Sequence, residues 1–291
     1  MKKLTLSFMI FGLIAATTGI YVSGKNTDTV NQGQLQIVTS LPLVKNITEN
    51  IGGTKVTVTS IVQGPNCDHE YEASAGELLK LAKCNVFVKT GMGADPWADK
   101  LTSGITGKKT IIIDSSENIK PLKVRGMENP HYWGDPKNVM IMAKNILNGL
   151  IQARPDEKAY FSANYQKYVR QINQTATELA NRTAKLSNKE IISYTGAFPY
   201  FYRYFGFDNR MTVELSCEQE VSPRDLATAA RLMKTKKLRI LIGDAGEPHE
   251  PDGLAKETKS KVVLLWATTD ESGDYLKTLR RNVEMLVTAL Q

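Results

Sequence analysis

Residues 156–186 read DEKAYFSANYQKYVRQINQTATELANRTAKL, with no glycine or proline. Phe161, Tyr165, Tyr168, Ile172, Ala176, Leu179 and Leu186 recur at three- and four-residue spacing, one apolar stripe on a helix. A helix of that length spans on the order of 40–45 Å, more than one small domain needs. A coiled-coil segment would share the pattern, but a single stripe with polar residues opposite suits a strut lying across two domains.

On both sides of this helix, strand and helix signals alternate. Before it, strands are read at Leu35–Leu41, Lys55–Gln63, Asn85–Lys89 and Lys109–Ile113. Helices are read at Pro42–Ile51, from the Ser74 cap to Leu81 with Glu77 at the capping-box spacing, at Pro96–Leu101 and at Val139–Ile151. After it, strands fall at Glu190–Tyr194, Met211–Leu215, Leu238–Ile242 and Val262–Trp266. The helices there are Phe198–Phe205, Pro223–Lys234, Leu254–Thr258 and Tyr275–Leu290. Such alternation argues for parallel sheets covered by helices on both faces. The expected fold is therefore α/β: two doubly wound (βα)4-type domains, 35–155 and 188–291, joined by one long backbone helix over 156–187.

The composition fits that plan. Of 291 residues, 42% are hydrophobic and 23% charged, with 21 glycines and 11 prolines, which excludes disorder, collagen-like repeats and a polytopic membrane protein. The N-terminus has its own character: Lys2-Lys3 precede Leu4–Val22, which carries no charge. Residues 1–24 read as a signal peptide or an N-terminal anchor, so the rest works in the periplasm or another extracytoplasmic space. No cysteine lies near the end of the run, hence no lipoprotein attachment site.

The formal charge of +7 invites a nucleic-acid reading that the sequence declines. Lys2 and Lys3 belong to the export segment, and the remaining excess is spread out. Its densest group, Lys234, Lys236, Lys237 and Arg239, complements a helix C-terminus. Of the cysteines, Cys67, Cys84 and Cys217, Cys84 closes an apolar helix pattern and is expected in the core. One pair of the three could form a disulfide in an oxidising compartment.

Chemistry concentrates on the loops after strands. His69 follows the second strand, His131 follows the last strand of the first domain, His249 and Glu247 follow the strand ending at Ile242, and Asp270 follows the strand ending at Trp266. Open α/β sheets bind ligands beyond the carboxyl ends of their strands, so two facing domains would bring these residues to one cleft. Imidazole with carboxylate is a ligand set for zinc, and it also serves manganese or iron. A lone loop histidine is more often a surface group, and His249 by itself reads that way. His69 and His131 lie in proline-rich loops beside Tyr71, Tyr132 and Trp133, which favours a site. No Gly-x-Ser-x-Gly elbow, phosphate loop or dinucleotide fingerprint occurs, and Cys67 and His69 are ill placed as a nucleophile pair. An enzyme is not expected.

Leu41-Pro42-Leu43-Val44, Gly64-Pro65 with His69-Glu70-Tyr71-Glu72, Gly91-Met92-Gly93 and Pro96-Trp97-Ala98-Asp99-Lys100-Leu101 form a series of motifs. Asn129-Pro130-His131-Tyr132-Trp133 with Asp135-Pro136, and Gly196-Ala197-Phe198-Pro199-Tyr200-Phe201 with Phe205-Gly206-Phe207, complete it. Together they resemble the extracytoplasmic metal-binding proteins of zinc/manganese ABC importers, in order and over essentially the whole mature chain. The resemblance implies a monomeric solute-binding protein that hands a transition metal to an ABC permease in the cytoplasmic membrane. It places His69 and His131 as first-domain ligands and Asp270 as the last. The third ligand position, three residues before Phe198, holds Thr195, a poor ligand beside imidazole or carboxylate. Glu247 or His249 could compensate, Asp68 could act as an acidic neighbour, and Cys67 with Cys217 could supply soft ligands. His-rich ligation leans to zinc, carboxylate to manganese or iron. Alternatives of other classes are a binding protein repurposed for a metal chelate, cobalamin or a siderophore, and a metallochaperone or adhesin. Phe198–Phe207 is expected to pack in the core.

Overall fold

Four short runs of branched residues in the first half pair side by side, all in parallel. In the computed structural model, which describes residues 33–64, 71–103, 110–215, 221–246 and 251–291, these are β1 (Leu35–Thr39), β2 (Val56–Ser60), β3 (Val86–Lys89) and β4 (Ile111–Asp114), in the order β2-β1-β3-β4. Each crossover carries a helix: α1 (Pro42–Gly52) after β1, α2 (Ala75–Lys83) after β2 and α3 (Pro96–Ser103) after β3. Pro42 occupies the first turn of α1, where its missing N–H leaves nothing unpaired. At α2 the expected capping box is present: Ser74 Oγ accepts from Glu77 N–H, and the Glu77 carboxylate accepts from Ser74 N–H at 2.8 Å. Only Leu81 of that helix is buried.

After β4 the chain makes a small antiparallel hairpin, β5 (Leu122–Val124) and β6 (Met127–Asn129), that the sequence pattern does not announce. Helix α4 (Pro136–Ala153) then starts three residues earlier than its apolar periodicity suggests. Its first turn is polar and begins at an Asp135 cap, whose carboxylate accepts from Lys137 N–H at 2.9 Å. The long helix α5 runs Lys158–Ala184, about 40 Å at 1.5 Å per residue. Phe161, Tyr168, Ile172, Ala176 and Leu179 of the expected stripe are buried, with Tyr165 and Leu186 half-buried beside them. α5 packs on α1 and α4 at one end and, at the other, on α6 (Pro199–Phe205) and α9 (Tyr275–Leu290).

The second half repeats the plan. β7 (Glu190–Ser193), β8 (Asp208–Thr212), β9 (Ile240–Asp244) and β10 (Lys261–Leu265) form a parallel sheet in the order β10-β9-β7-β8, with α7 (Pro223–Lys236) and α8 (Asp252–Thr258) among the crossovers. β8 lies three residues earlier than the apolar run Met211–Leu215, because the ladder to β7 pairs Glu190 with Asp208 and Ile191 with Asn209. Alternate strand residues enter different cores. Ile191, Ile240 and Ile242 join the large cluster shared with the first half, whereas Ile192 and Leu241 face Ala229, Ala230 and Met233 of α7. The architecture is two α/β layers joined by one long helix, and residues 34–291 form one compact unit. Among the described residues no helix is long and apolar enough to cross a membrane. The segment 1–24 lies outside them.

Candidate metal centre

The strand order of the first sheet places its switch point between β1 and β3, the place at whose carboxyl edge open α/β sheets bind ligands. Polar groups are secured there rather than left exposed. Asp95, 2% exposed, accepts from Thr90 N–H at 2.6 Å and Gly91 N–H at 2.8 Å. Burial pushes its carboxyl above the ordinary value, against the Ser40 hydroxyl and those two amides. Gly91 (φ +86°) is needed as glycine, since a Cβ would run into the Asp114 carboxylate and the Ser116 hydroxyl.

His131 follows β6 and opens a single 3-10 turn, Tyr132–Gly134. Its imidazole is half-buried, edge-on to Trp133 with ring centroids 5.4 Å apart. The two residues that follow it fix the loop in both directions. Tyr132 donates its hydroxyl to Thr90 O at 2.6 Å, at the first-sheet switch point. Trp133 donates Nε1–H to Ala267 O at 2.6 Å, in the loop after β10 that carries Asp270. Tyr275, at the start of α9, donates back to Trp133 O at 3.2 Å.

A third loop joins them. Asn129, 4% exposed, accepts from His131 N–H at 3.1 Å and donates to Gly196 O at 2.7 Å. Tyr200 donates to Asn129 O at 3.2 Å and accepts from Leu122 N–H at 2.6 Å. Gly196 sits so close to the chain after β8 that a Cβ would collide with Leu215 O. Thr195, beside it, is half-buried; its hydroxyl accepts from Ala197 N–H at 3.3 Å, a local turn bond that any carboxylate or imidazole there would have to replace.

Asp270 is 8% exposed, and its two oxygens have different partners. Oδ1 accepts from Ser272 N–H at 3.0 Å and from the Ser272 hydroxyl at 2.5 Å. Oδ2 faces Arg281 Nη1 at 3.4 Å. Burial pushes the carboxyl up, but Ser272 and the Arg281 guanidinium outweigh it and hold the group below its ordinary value. Asp270 is thus anionic at neutral pH, the form that binds cations.

Of the expected ligand residues, then, the structure ties the loop of His131 to the loops of Thr195 and Asp270. His69 and Glu247, along with Cys67, Asp68, Cys217 and His249, lie outside the described residues. The flanks of the His69 segment are defined: Tyr71 donates to the Glu77 carboxylate at 2.6 Å and rests 5.2 Å from the Trp97 ring. Among the described residues no group of three or more His, Cys, Asp or Glu could hold a metal. The roles of Asn129, Asp95 and Arg281 are not legible in the sequence: Asn129 acts through Gly196, far along the chain, and Asp95 and Arg281 through loop contacts that no pattern marks. Cys84 is buried as expected and donates to Leu81 O at 3.2 Å, and the aromatic run Phe198–Phe207 is core.

The family model described as zinc-uptake complex component A, periplasmic, matches residues 37–289. The chain belongs to this family. Among its relatives, the metal ABC transporter substrate-binding lipoprotein SloC of Streptococcus mutans is 27% identical, over 100% of this chain and 99% of the relative. The manganese-binding lipoprotein MntA of Halalkalibacterium halodurans is 28% identical over 80% of this chain and 78% of its own. Among solved structures, the periplasmic zinc-binding protein TroA of Treponema pallidum superposes with a TM-score of 0.82 at 21% identity, covering 89% of this chain and 99% of that one. A manganese-bound periplasmic metal-binding protein of Candidatus Liberibacter asiaticus gives 0.79 at 23% identity, covering 89% and 100%. At such identities the structural likeness concerns the fold. The relatives named here are substrate-binding or metal-binding lipoproteins.

Proposed function

We propose that this chain is a solute-binding protein that captures a divalent transition-metal ion, zinc or manganese, between lobes 35–155 and 188–291 and delivers it to an ABC permease. The ligands are His131 and Asp270, with His69 and Glu247 completing the set. The observation that carries this is the 2.6 Å bond from Trp133 to Ala267, which fastens the loop of His131 to the loop of Asp270 in a chain matched by the family model over 37–289. An imidazole and a held carboxylate are donors that suit zinc, manganese and iron, and Thr195 supplies neither the imidazole nor the carboxylate that would tilt the choice. Function is binding and release, not catalysis, and the protein acts as a monomer outside the cytoplasm. Its apolar N-terminal run, Leu4–Val22, directs export and is either cleaved or kept as the anchor that a lipid supplies in lipoproteins.

Capture consumes no bond. A protonated imidazole has no lone pair for a metal, so loading should weaken in acid. The test is elemental analysis of protein purified from metal-replete cells, with His69→Ala, His131→Ala and Asp270→Ala alongside. Wild type should carry close to one metal ion per chain and the variants far less. Equally little metal in all four proteins would sink the assignment.

A further inference from the structure

Asp270 has a cation beside it already. Arg281, on the second turn of α9, places Nη1 3.4 Å from Asp270 Oδ2 and 2.9 Å from Glu271 Oε2. Its guanidinium lies over the Trp266 ring, 5.3 Å from the centroid. The guanidinium therefore covers the one Asp270 oxygen that Ser272 leaves open. We infer that Arg281 is a built-in competitor for the cation at Asp270, and that it sets how tightly the cargo is held and how readily it is released. The inference rests on Asp270 being a metal ligand, as proposed above.

Two effects of Arg281 oppose each other. It could help by orienting the carboxylate, or hinder by occupying it. Orientation does not depend on it. Oδ1 is held twice by Ser272, and the Asp270 backbone N–H donates to Thr278 Oγ1 at 2.9 Å. The carboxylate is also ionised at neutral pH without the help of Arg281, because an ordinary aspartate already is. What remains is hindrance. A divalent ion on Oδ2 must push the monovalent one aside or share the oxygen with it, and in either case it sits within a few ångströms of that positive charge. The displaced guanidinium has a place to go: the Glu271 side chain is 65% exposed and already paired with it, beside the Trp266 face on which it rests. Arg281 is itself 46% exposed, so the exchange needs no opening of the core. Exposure also bounds the effect. Solvent screens a half-exposed charge, and a change of about tenfold in affinity, about 1.4 kcal/mol, is the scale expected.

Arg281→Ala and Arg281→Gln should therefore bind metal about tenfold more tightly than wild type and release it more slowly to a chelator trap, with Arg281→Lys between. Added salt should narrow the gap. The experiment is calorimetric titration of the full-length, chelator-stripped protein with Mn2+ and with Zn2+, under chelator competition. It compares wild type, Asp270→Ala, Arg281→Ala and the double variant. In the expected result Asp270→Ala weakens binding, Arg281→Ala tightens it, and the Arg281 effect vanishes in the Asp270→Ala background. If Asp270→Ala binds like wild type, the ligand assignment fails and takes the competitor with it. If Asp270→Ala weakens binding but Arg281→Ala is neutral or weaker, the ligand stands and the competitor is overturned. Equal tightening in both backgrounds would mean a general charge effect, which overturns it as well.

Discussion

Replacing Asn129 by alanine should destabilise the metal-free protein by about 2–4 kcal/mol, because one buried side chain joins two loops that belong to different sheets. Its amide Nδ2 satisfies Gly196 O at 2.7 Å and its Oδ1 satisfies His131 N–H at 3.1 Å. A buried partner left unmade costs about 1–3 kcal/mol. Gly196 is buried and should bear the larger share; His131 is half-buried, so water can reach its N–H and reduce the loss. Asn129→Asp separates the two bonds: it keeps an acceptor for His131 but sets a carboxylate against the Gly196 carbonyl. It should therefore destabilise at least as much as alanine. Urea unfolding of chelator-stripped protein measures this as a fall in midpoint at unchanged slope. Losses below about 0.5 kcal/mol in both variants would show that the loops are held by other contacts, and the account of this junction would be wrong.

Tyr168, in the middle of α5, has a buried hydroxyl with no hydrogen-bond partner among the described residues, and burial pushes its phenol far above the ordinary value. Tyr168→Phe should be neutral or stabilising by up to about 1 kcal/mol in thermal melting, and a clear loss would contradict the environment described. The second expectation concerns acid. Asp270 titrates below its unfolded value, so its contribution to stability is full above the ordinary aspartate range and is lost as pH falls through its lowered folded value. Melting temperatures of metal-free wild type and Asp270→Asn, followed from pH 7 downward, should converge under strong acid; a gap independent of pH would refute the assignment.

Much of the fold was legible because its signals are local. Prolines at the first turns of α1, α6 and α7 mark helix starts, the Ser74–Glu77 box marks another, and α9 begins and ends at the residues its periodicity gives. The errors arise where pairing overrides pattern. β8 is a polar run, Asp-Asn-Arg-Met-Thr, that becomes a strand because β7 offers it a ladder, while the apolar residues after it continue past the sheet. The three-residue strands of the β5–β6 hairpin are too short to show any periodicity. Near the candidate site, the positions of His131 and Asp270 beyond strand ends could be read by counting strands. Asn129 and Arg281 could not, since Asn129 matters through Gly196 and Arg281 through the side chains of a loop one helical turn and a half away.

The two sheets share one wiring diagram. Counted within its own half, each has its second strand outermost, then the first, third and fourth. No sequence repeat accompanies this, so the likeness lies in topology alone. The strand exits can then be matched one to one. The exit of β4, which leads through the hairpin to His131, corresponds to the exit of β10, which leads to Asp270. The exit of β2, which leads toward His69, corresponds to that of β8, which leads from Val213 toward Cys217. By that matching His131 and Asp270 stand at equivalent exits, histidine beyond the last strand of the first sheet and aspartate beyond the last strand of the second.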